Sequence, residues 1–253
     1  MSARYALYYA PGALSALHAA ITPLFGRDAL GNRNFSPVHP ADGVFSSDVW
    51  ASMVAVPAKY GLHATLKAPF ELSPRWNDDR DMLKALSLAC EELARRHEPL
   101  TTTPLELRSL STGSGCFLAL TPACGSESFA EANPALAALE KDCVTALEIF
   151  RAPLEEADIR RRGELTPEEA SYLVRYGYHR IFDLFRFHMT LTDSMPESRL
   201  ALVEKSLRSS LSVFIDRPLV VDSISLFRQK DRTSPFVELS RFSLGTNNNR
   251  NDS

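Results

Sequence analysis

The sequence contains one four-residue pattern twice, as HATL at residues 63–66 and as HMTL at residues 188–191, although it has only six histidines. Residues 61–70 and 184–192, which contain the two copies, are rich in strand-forming residues and are predicted to be β-strands. Successive side chains of a strand point to opposite faces. Each strand is therefore predicted to have one apolar face and one face that carries an imidazole and a hydroxyl group.

The order of elements around the two copies also repeats. Each copy is followed by a helix, a strand that begins with Pro-Leu, a turn and a second strand. The helices are predicted at residues 78–97 and 196–213, the first pair of strands at 104–110 and 116–121, and the second pair at 219–227 and 236–244. A repeated unit of this kind indicates two related halves of one structure.

The repeat predicts an α+β fold. We expect two pseudo-symmetric lobes, each an antiparallel sheet with helices, around a central cleft. The lobes are predicted around residues 61–121 and 184–244 of a single domain, residues 1–245. The last eight residues, 246–253, are polar and are expected to be disordered.

The composition excludes several classes of protein. The formal net charge is -3 and the pI is about 6.1, so no long nucleic acid is expected as a partner. No stretch is long and apolar enough for a membrane span, and the first residues lack the features of a signal peptide, so a cytoplasmic location is predicted. The four cysteines form no C-x-x-C pair and lie beside no histidine at metal-ligand spacing, so neither a metal nor another cofactor is expected.

The residues of the two patterns suit the hydrolysis of a phosphodiester. Imidazole titrates near neutral pH, so one histidine can remove a proton from water while the other protonates the leaving oxygen. Hydroxyl groups and cations can stabilise the charge that develops on the phosphate oxygens. By strand alternation, Lys67 shares a face with His63 and Arg186 shares a face with His188. Such a set can work without a metal.

The two patterns resemble the paired H-x-T/S motifs of the two-histidine (2H) phosphoesterase superfamily, which includes RNA 2',3'-cyclic phosphodiesterases and ligase-like relatives. A closer resemblance, over nearly the whole chain, is to the phosphonate-metabolism proteins of that superfamily. It is carried by RYALYY (4–9), YGLHATLKAPF (60–70), FRAPL (150–154) and FRFHMTLT (185–192). The resemblance implies the bilobal α+β fold and metal-independent hydrolysis.

The resemblance also implies residue roles. His63 and His188 would form the acid–base pair, in an order that the sequence leaves open, and Thr65 and Thr190 would donate hydrogen bonds to the phosphate. The pathway association of the subfamily implies a small phosphorylated substrate, such as 5-phosphoribosyl 1,2-cyclic phosphate. Two other functions are alternatives: hydrolysis of RNA-end or nucleotide 2',3'-cyclic phosphates, and binding of a phosphate or nucleotide without catalysis.

Further residues are candidates for substrate binding. Arg186 and Lys67 follow from strand alternation, with a solvated or ion-paired residue as the alternative for each. Tyr5, Tyr60 and Tyr8 are candidates for lining the cleft, with ordinary core packing as the alternative. The run of three arginines at residues 160–162 is expected to be a solvated surface, with a phosphate clamp as the alternative.

Overall fold

The structure is a computed structural model that describes residues 3–40, 43–74, 79–112, 115–160 and 162–245. The predicted polar tail, the tip of the predicted turn at residues 113–114, the first residue of the helix predicted at 78–97, and Arg161 lie outside the described residues. The helices and strands below belong to the described part of the chain.

Eight strands form one sheet in which neighbouring strands are antiparallel. They are β1 (Arg4–Tyr9), β4 (Ala64–Glu71), β5 (Leu100–Thr112), β6 (Gly115–Pro122), β7 (Met189–Thr190), β8 (Pro218–Val221), β9 (Ser223–Gln229) and β10 (Phe236–Ser243). Two short strands, β2 (Arg27–Asp28) and β3 (Arg33–Asn34), pair separately. The order across the large sheet is β10-β9-β1-β4-β7-β6-β5-β8, which places β4 and β7 side by side at its centre.

The helices are α1 (Ala16–Phe25), α2 (Ser47–Met53), α3 (Ala55–Tyr60), α4 (Asp79–Arg95), α5 (Phe129–Ala132), α6 (Pro134–Ala146), α7 (Glu156–Arg160), α8 (Pro167–Tyr176) and α9 (Glu197–Ser210). Short 3-10 turns follow at Glu148–Phe150 and Phe182–Leu184. Helix α8 begins with a capping box, in which Thr166 and Glu169 bond to each other's backbone N–H. It ends at Gly177, whose φ of 78° is one that glycine adopts without strain.

The two faces of the sheet differ in what they bury. The large apolar cluster contains Leu7 of β1, Ala64 of β4 and Met189 of β7, together with the inward residues of α4, α6 and α9. We call this side the core face. A smaller cluster on the other side contains Ala6, Tyr8, Ala10, Phe227 and Phe236, and we call that side the site face.

The two sequence repeats exchange their hairpins. The hairpin β5–β6, which follows the first motif in sequence, lies beside β7 of the second motif. The hairpin β9–β10, which follows the second motif, pairs with β1 and so lies on the side of β4. Each half of the sheet therefore contains strands from both repeats, although the division of the chain into lobes remains a prediction.

The predicted α+β fold class is confirmed. Two element predictions were wrong in extent. The strand expected at 184–192 is only two residues long, because a 3-10 turn and an irregular segment occupy the residues before Met189. The strand expected at 219–227 is divided between β8 and β9. Residues 28–43, whose Gly, Asn, Pro and Asp residues are typical of a loop, include strand residues of the β2–β3 hairpin.

Candidate functional site

The pairing of β4 with β7 brings the two motifs together. Ala64 is paired with Met189, and both side chains belong to the core face. In an antiparallel pair the flanking residues then face each other, so His63 lies beside Thr190 and Thr65 lies beside His188, all on the site face. The two histidines are diagonal neighbours, about 7–8 Å apart along such a ladder. At this separation two imidazoles can both hydrogen-bond to one phosphate group.

His63 is held by the backbone just before it. Its Nδ1 lies 2.9 Å from the carbonyl oxygen of Gly61. Gly61 has a φ of 74°, and a Cβ atom at this position would lie 2.4 Å from the Cβ of Ala29. Only glycine fits here without displacing the chain, so this residue determines where the carbonyl that holds His63 can lie.

Aromatic rings surround His63. The Tyr8 ring centroid lies 4.2 Å from the imidazole centroid, and Tyr60 stacks on the imidazole at 5.5 Å and on Phe236 at 5.0 Å. Burial lowers the pKa of His63 from 6.5 to about 4; the Gly61 carbonyl opposes this shift, and the charge of His188 adds to it. The last contribution shows that the two imidazoles lie within electrostatic range of each other.

His188 is held in the same way as His63. Its Nδ1 lies 2.7 Å from the carbonyl oxygen of Arg186, again two residues earlier in the chain. Phe117 of β6 lies beside the ring, with centroids 5.9 Å apart. Burial lowers the pKa of His188 and the positive charge of Arg180 lowers it further, while the Arg186 carbonyl raises it.

These bonds determine the tautomer of both rings. A carbonyl oxygen can only accept a hydrogen bond, so Nδ1 carries the proton in each histidine. The lone pair of the neutral ring is then on Nε2. Each motif histidine therefore has an Nε2 that can accept a proton, and donate one once the ring is protonated.

Thr65 and Thr190 complete a group of four on the site face. Thr65 is paired with Tyr8 of β1, and Thr190 is paired with Ala119 of β6. Both threonines are half-buried. Each histidine thus has the threonine of the other motif as its cross-strand neighbour. The sequence predicted only that the histidine and the threonine of each motif share a face of their strand.

Lys67 does not lie with the histidines, so its predicted placement was wrong. Tyr8 pairs with Thr65 but the next pairing is Leu7 with Lys67, which leaves Leu66 as an extra residue in β4. This bulge reverses the alternation and turns Lys67 to the core face. The ammonium group is buried there and donates to the Val144 carbonyl, 2.8 Å away, and to Glu148, 3.0 Å away.

Tyr5 also lies on the core face, in the large apolar cluster, so its predicted place in the cleft was wrong. It is three residues from Tyr8, an odd number, and a strand turns such residues to opposite faces. Arg186 is exposed, and its Nη1 donates to the carbonyl oxygens of Asp183, 3.1 Å away, and Phe185, 2.6 Å away. Its guanidinium therefore bonds to its own turn; a role in substrate binding remains a prediction for Arg186.

The structure adds one cation, Arg180, that sequence reasoning did not select, and it gives the surroundings of two earlier candidates, Tyr8 and Arg162. Arg180 is the cation whose charge acts on His188. Tyr8 is fully buried, and its hydroxyl has no hydrogen-bond partner among the described residues. Arg162 lies over the ring of Tyr178, 5.4 Å from its centroid, and Tyr178 is in electrostatic range of Tyr8. Arg180 lies in a loop, where no alternation pattern could have indicated it.

A separate pocket of about 870 Å³ lies beside the end of β4. Its lining includes Arg4, Glu71, Asp158 and Arg232, and neither motif histidine is part of it. Arg232 is ion-paired with Asp158 and Glu71 within this pocket. The histidine pair, not this pocket, is the candidate catalytic centre.

The described residues contain neither a cluster of metal ligands nor a membrane-spanning helix. Within those ranges, no group of three or more His, Cys, Asp or Glu side chains is arranged to hold a metal ion. In the same ranges no helix has the length and apolar character needed to cross a membrane. All four cysteines are free thiols.

Comparison with known proteins gives a family. The model described as "Protein of unknown function (DUF1045)" matches residues 65–237, well over half of the chain. This chain belongs to the DUF1045 family. The matched range starts two residues after His63 and includes the whole second motif.

Two curated relatives share a name. Ribose 1,5-bisphosphate phosphokinase PhnN of Janthinobacterium sp. (strain Marseille) is 30% identical over 251 residues, which covers 94% of this DUF1045 chain and 50% of that protein. The protein of the same name from Laribacter hongkongensis (strain HLHK9) is 36% identical over 197 residues, which covers 77% of this chain and 41% of that protein. The chain thus spans half or less of these relatives, and their name describes the longer proteins.

Among solved structures, E. coli LigT complexed with 3'-AMP is similar to the DUF1045 chain. The identity is 16%, the TM-score is 0.45, and the match covers 97% of this chain and 100% of that one. At this TM-score the likeness says nothing by itself about a reaction.

Proposed function

We propose that this chain is a phosphodiesterase that hydrolyses a cyclic phosphate ester of a small metabolite, with His63 and His188 as its acid–base pair. One observation carries the proposal. Two imidazoles with the same fixed tautomer lie on one sheet face, each beside the threonine of the other motif. Binding alone would not need this arrangement, because arginine or lysine holds a phosphate better at neutral pH.

The environments of the two rings favour one assignment of roles. Burial among aromatic rings lowers the pKa of His63 to about 4, and the only cation that contributes to this shift is His188 itself, whereas a cation outside the pair, Arg180, acts on His188. His63 is therefore the ring that stays neutral and acts as the base. His188 is the ring that an anionic substrate protonates more easily, because a bound phosphate favours the charged form, and it acts as the acid.

The reaction follows from these positions. Nε2 of His63 removes a proton from water as the water oxygen attacks phosphorus. The ring P–O bond breaks, and Nε2 of His188 gives its proton to the leaving oxygen. The product is a phosphate monoester with a free hydroxyl group. The hydroxyls of Thr65 and Thr190 donate to the non-bridging oxygens, whose negative charge increases in the transition state.

The substrate class is proposed from two sources. The longer relatives are named for a ribose bisphosphate, and the sequence resembles proteins of phosphonate metabolism. A phosphorylated cyclic ribose phosphate, such as 5-phosphoribosyl 1,2-cyclic phosphate, fits both. The net charge of -3 favours such a small substrate over a long RNA.

Turnover measurements test the proposal. Hydrolysis of 5-phosphoribosyl 1,2-cyclic phosphate, 2',3'-cyclic AMP and an RNA with a 2',3'-cyclic end would be compared in the presence of EDTA. The cyclic ribose phosphate should be the best substrate, and His63→Ala and His188→Ala should each lower kcat by about 10²–10⁴ while remaining folded. His39→Ala, in a loop, is the matched control.

Three outcomes would overturn parts of the proposal. Loss of turnover in EDTA that added divalent metal restores would exclude the mechanism. Near wild-type turnover in either histidine variant would remove that residue from the pair. Tight binding of a phosphodiester with no product at any pH from about 5 to 9 would show a binding protein instead.

A further inference from the structure

Glu140 is a buried carboxyl group on α6 that the proposed reaction does not use. The residue is 1% exposed. Its Oε2 accepts a hydrogen bond from the backbone N–H of Phe182, 3.3 Å away, and its Oε1 has no partner among the residues that the structure describes. A buried carboxyl group is costly to keep, so its single backbone contact points to a role for that contact.

Phe182 is the first residue of the 3-10 turn before the second motif and has a φ of 54°. This left-handed conformation is unfavourable for a bulky side chain and persists only where the surroundings impose it. Two kinds of contact do so. Glu140 accepts from its N–H, and Tyr172 and Tyr176 of α8 pack edge-on against its ring, at 5.3 Å and 5.0 Å.

Backbone contacts lead from this turn to His188. The carbonyl oxygen of Asp183, in the turn, accepts from Nη1 of Arg186. The carbonyl oxygen of Arg186 in turn accepts from Nδ1 of His188. No regular strand covers residues 185–188, so the pairing of β7 fixes this segment only at its end, beside Met189. The orientation of the His188 ring therefore depends on where the turn at Phe182 is anchored.

We propose that Glu140 is a positioning residue: its hydrogen bond to Phe182 anchors the turn that places the Arg186 carbonyl and so holds His188 with Nε2 towards the substrate. This inference rests on the proposed function for its catalytic consequence. The effect of Glu140 on the tautomer of the His188 ring can be measured without any turnover.

The charges around Glu140 support the choice of variants. Burial raises the pKa of Glu140 to about 8, while the Phe182 N–H bond and the charge of Lys67, from β4, oppose that shift. Cys143, one turn further along α6, is its other titratable neighbour. The carboxyl group is thus neutral near pH 7, and glutamine is a close substitute that keeps the acceptor oxygen.

The test compares Glu140→Gln, Glu140→Leu and a control, Cys143→Ala, which alters the same helix in the core without touching the turn. Nitrogen NMR spectra of the imidazoles report the tautomer and the pKa of His188, and kinetics report kcat and KM for 2',3'-cyclic AMP. In Glu140→Leu, His188 should lose its uniform Nδ1–H tautomer while His63 keeps its own, and kcat should fall about tenfold with KM changed less than about twofold. Glu140→Gln and Cys143→Ala should keep the wild-type tautomer.

A folded Glu140→Leu protein with the His188 spectrum of the wild type would overturn the inference. If Glu140→Leu does not fold, Glu140→Asp, which shortens the side chain and withdraws the acceptor from Phe182, is measured by the same spectra under the same criterion. If the wild type hydrolyses none of the tested diesters, the proposed function fails, while the spectra still decide whether Glu140 positions His188.

Discussion

Acidification should destabilise this protein through His63. In the folded chain the pKa of His63 is about 4, compared with 6.5 for an ordinary histidine, because the ring is buried beside Tyr8 and Tyr60. Between these two values the unfolded chain binds a proton that the folded chain does not, so stability falls as the pH falls from 6.5 towards 4. Between about pH 7.5 and about pH 5, this difference in proton binding lowers the free energy of unfolding by roughly 2 kcal/mol. The ring keeps some contact with solvent, so roughly 2 kcal/mol is an upper bound.

Urea denaturation at these two pH values measures the effect. His63→Gln removes the titrating group, so its loss of stability between about pH 7.5 and 5 should be smaller than that of the wild type by up to about 2 kcal/mol. His39→Gln removes a loop histidine and should leave the wild-type loss unchanged. The reasoning is refuted if the wild type and His63→Gln lose the same stability, or if the NMR titration midpoint of His63 lies at 6 or above.

Three further predictions concern residues around the site. Lys67→Met should lower the free energy of unfolding, measured in urea, by about 1–3 kcal/mol, because Glu148 loses its buried partner. The kcat should not change, and a tenfold fall in kcat would place Lys67 in the site after all. Gly61→Ala should shift the carbonyl that holds His63, lower the free energy of unfolding by about 1–3 kcal/mol and lower kcat. A wild-type stability together with a wild-type kcat would contradict the close approach to Ala29. Arg180→Gln should raise the pKa of His188 in an NMR titration, since a positive charge near it is lost, and an unchanged midpoint would exclude Arg180 as its electrostatic neighbour.

The central part of the site could be predicted from the sequence because it rests on local rules. The repeat of H-x-T, with apolar residues between and after, specifies two strands and the face on which each histidine lies. The hydrophobic residues Ala64 and Met189 face the core, which leaves His63 and His188 no other face. Strand alternation together with the duplicated element order was sufficient here.

The wrong placement of Lys67 and the wrong extent of the strand around Arg186 have a common physical cause, which is that alternation holds only while the strand is regular. A bulge at Leu66 reversed the alternation between Thr65 and Lys67, and no residue in the sequence signals it. Arg186 was assigned to a strand that does not extend so far, because the turn at Phe182 replaces it. Contacts between residues far apart in the chain determine such features, and those contacts cannot be inferred from a single sequence.

The two halves of the site are not equivalent, because the two histidines have different surroundings. His63 lies among the rings of Tyr8 and Tyr60, with no cation among the charges that shift its pKa except His188 itself. His188 lies in electrostatic range of Arg180. An apolar aromatic environment keeps an imidazole neutral, as a base requires. A cation beside the other imidazole attracts the phosphate. The negative charge of the phosphate then favours protonation of that ring. Duplicated motifs in different surroundings can thus perform the two different proton transfers that the hydrolysis of one P–O bond requires.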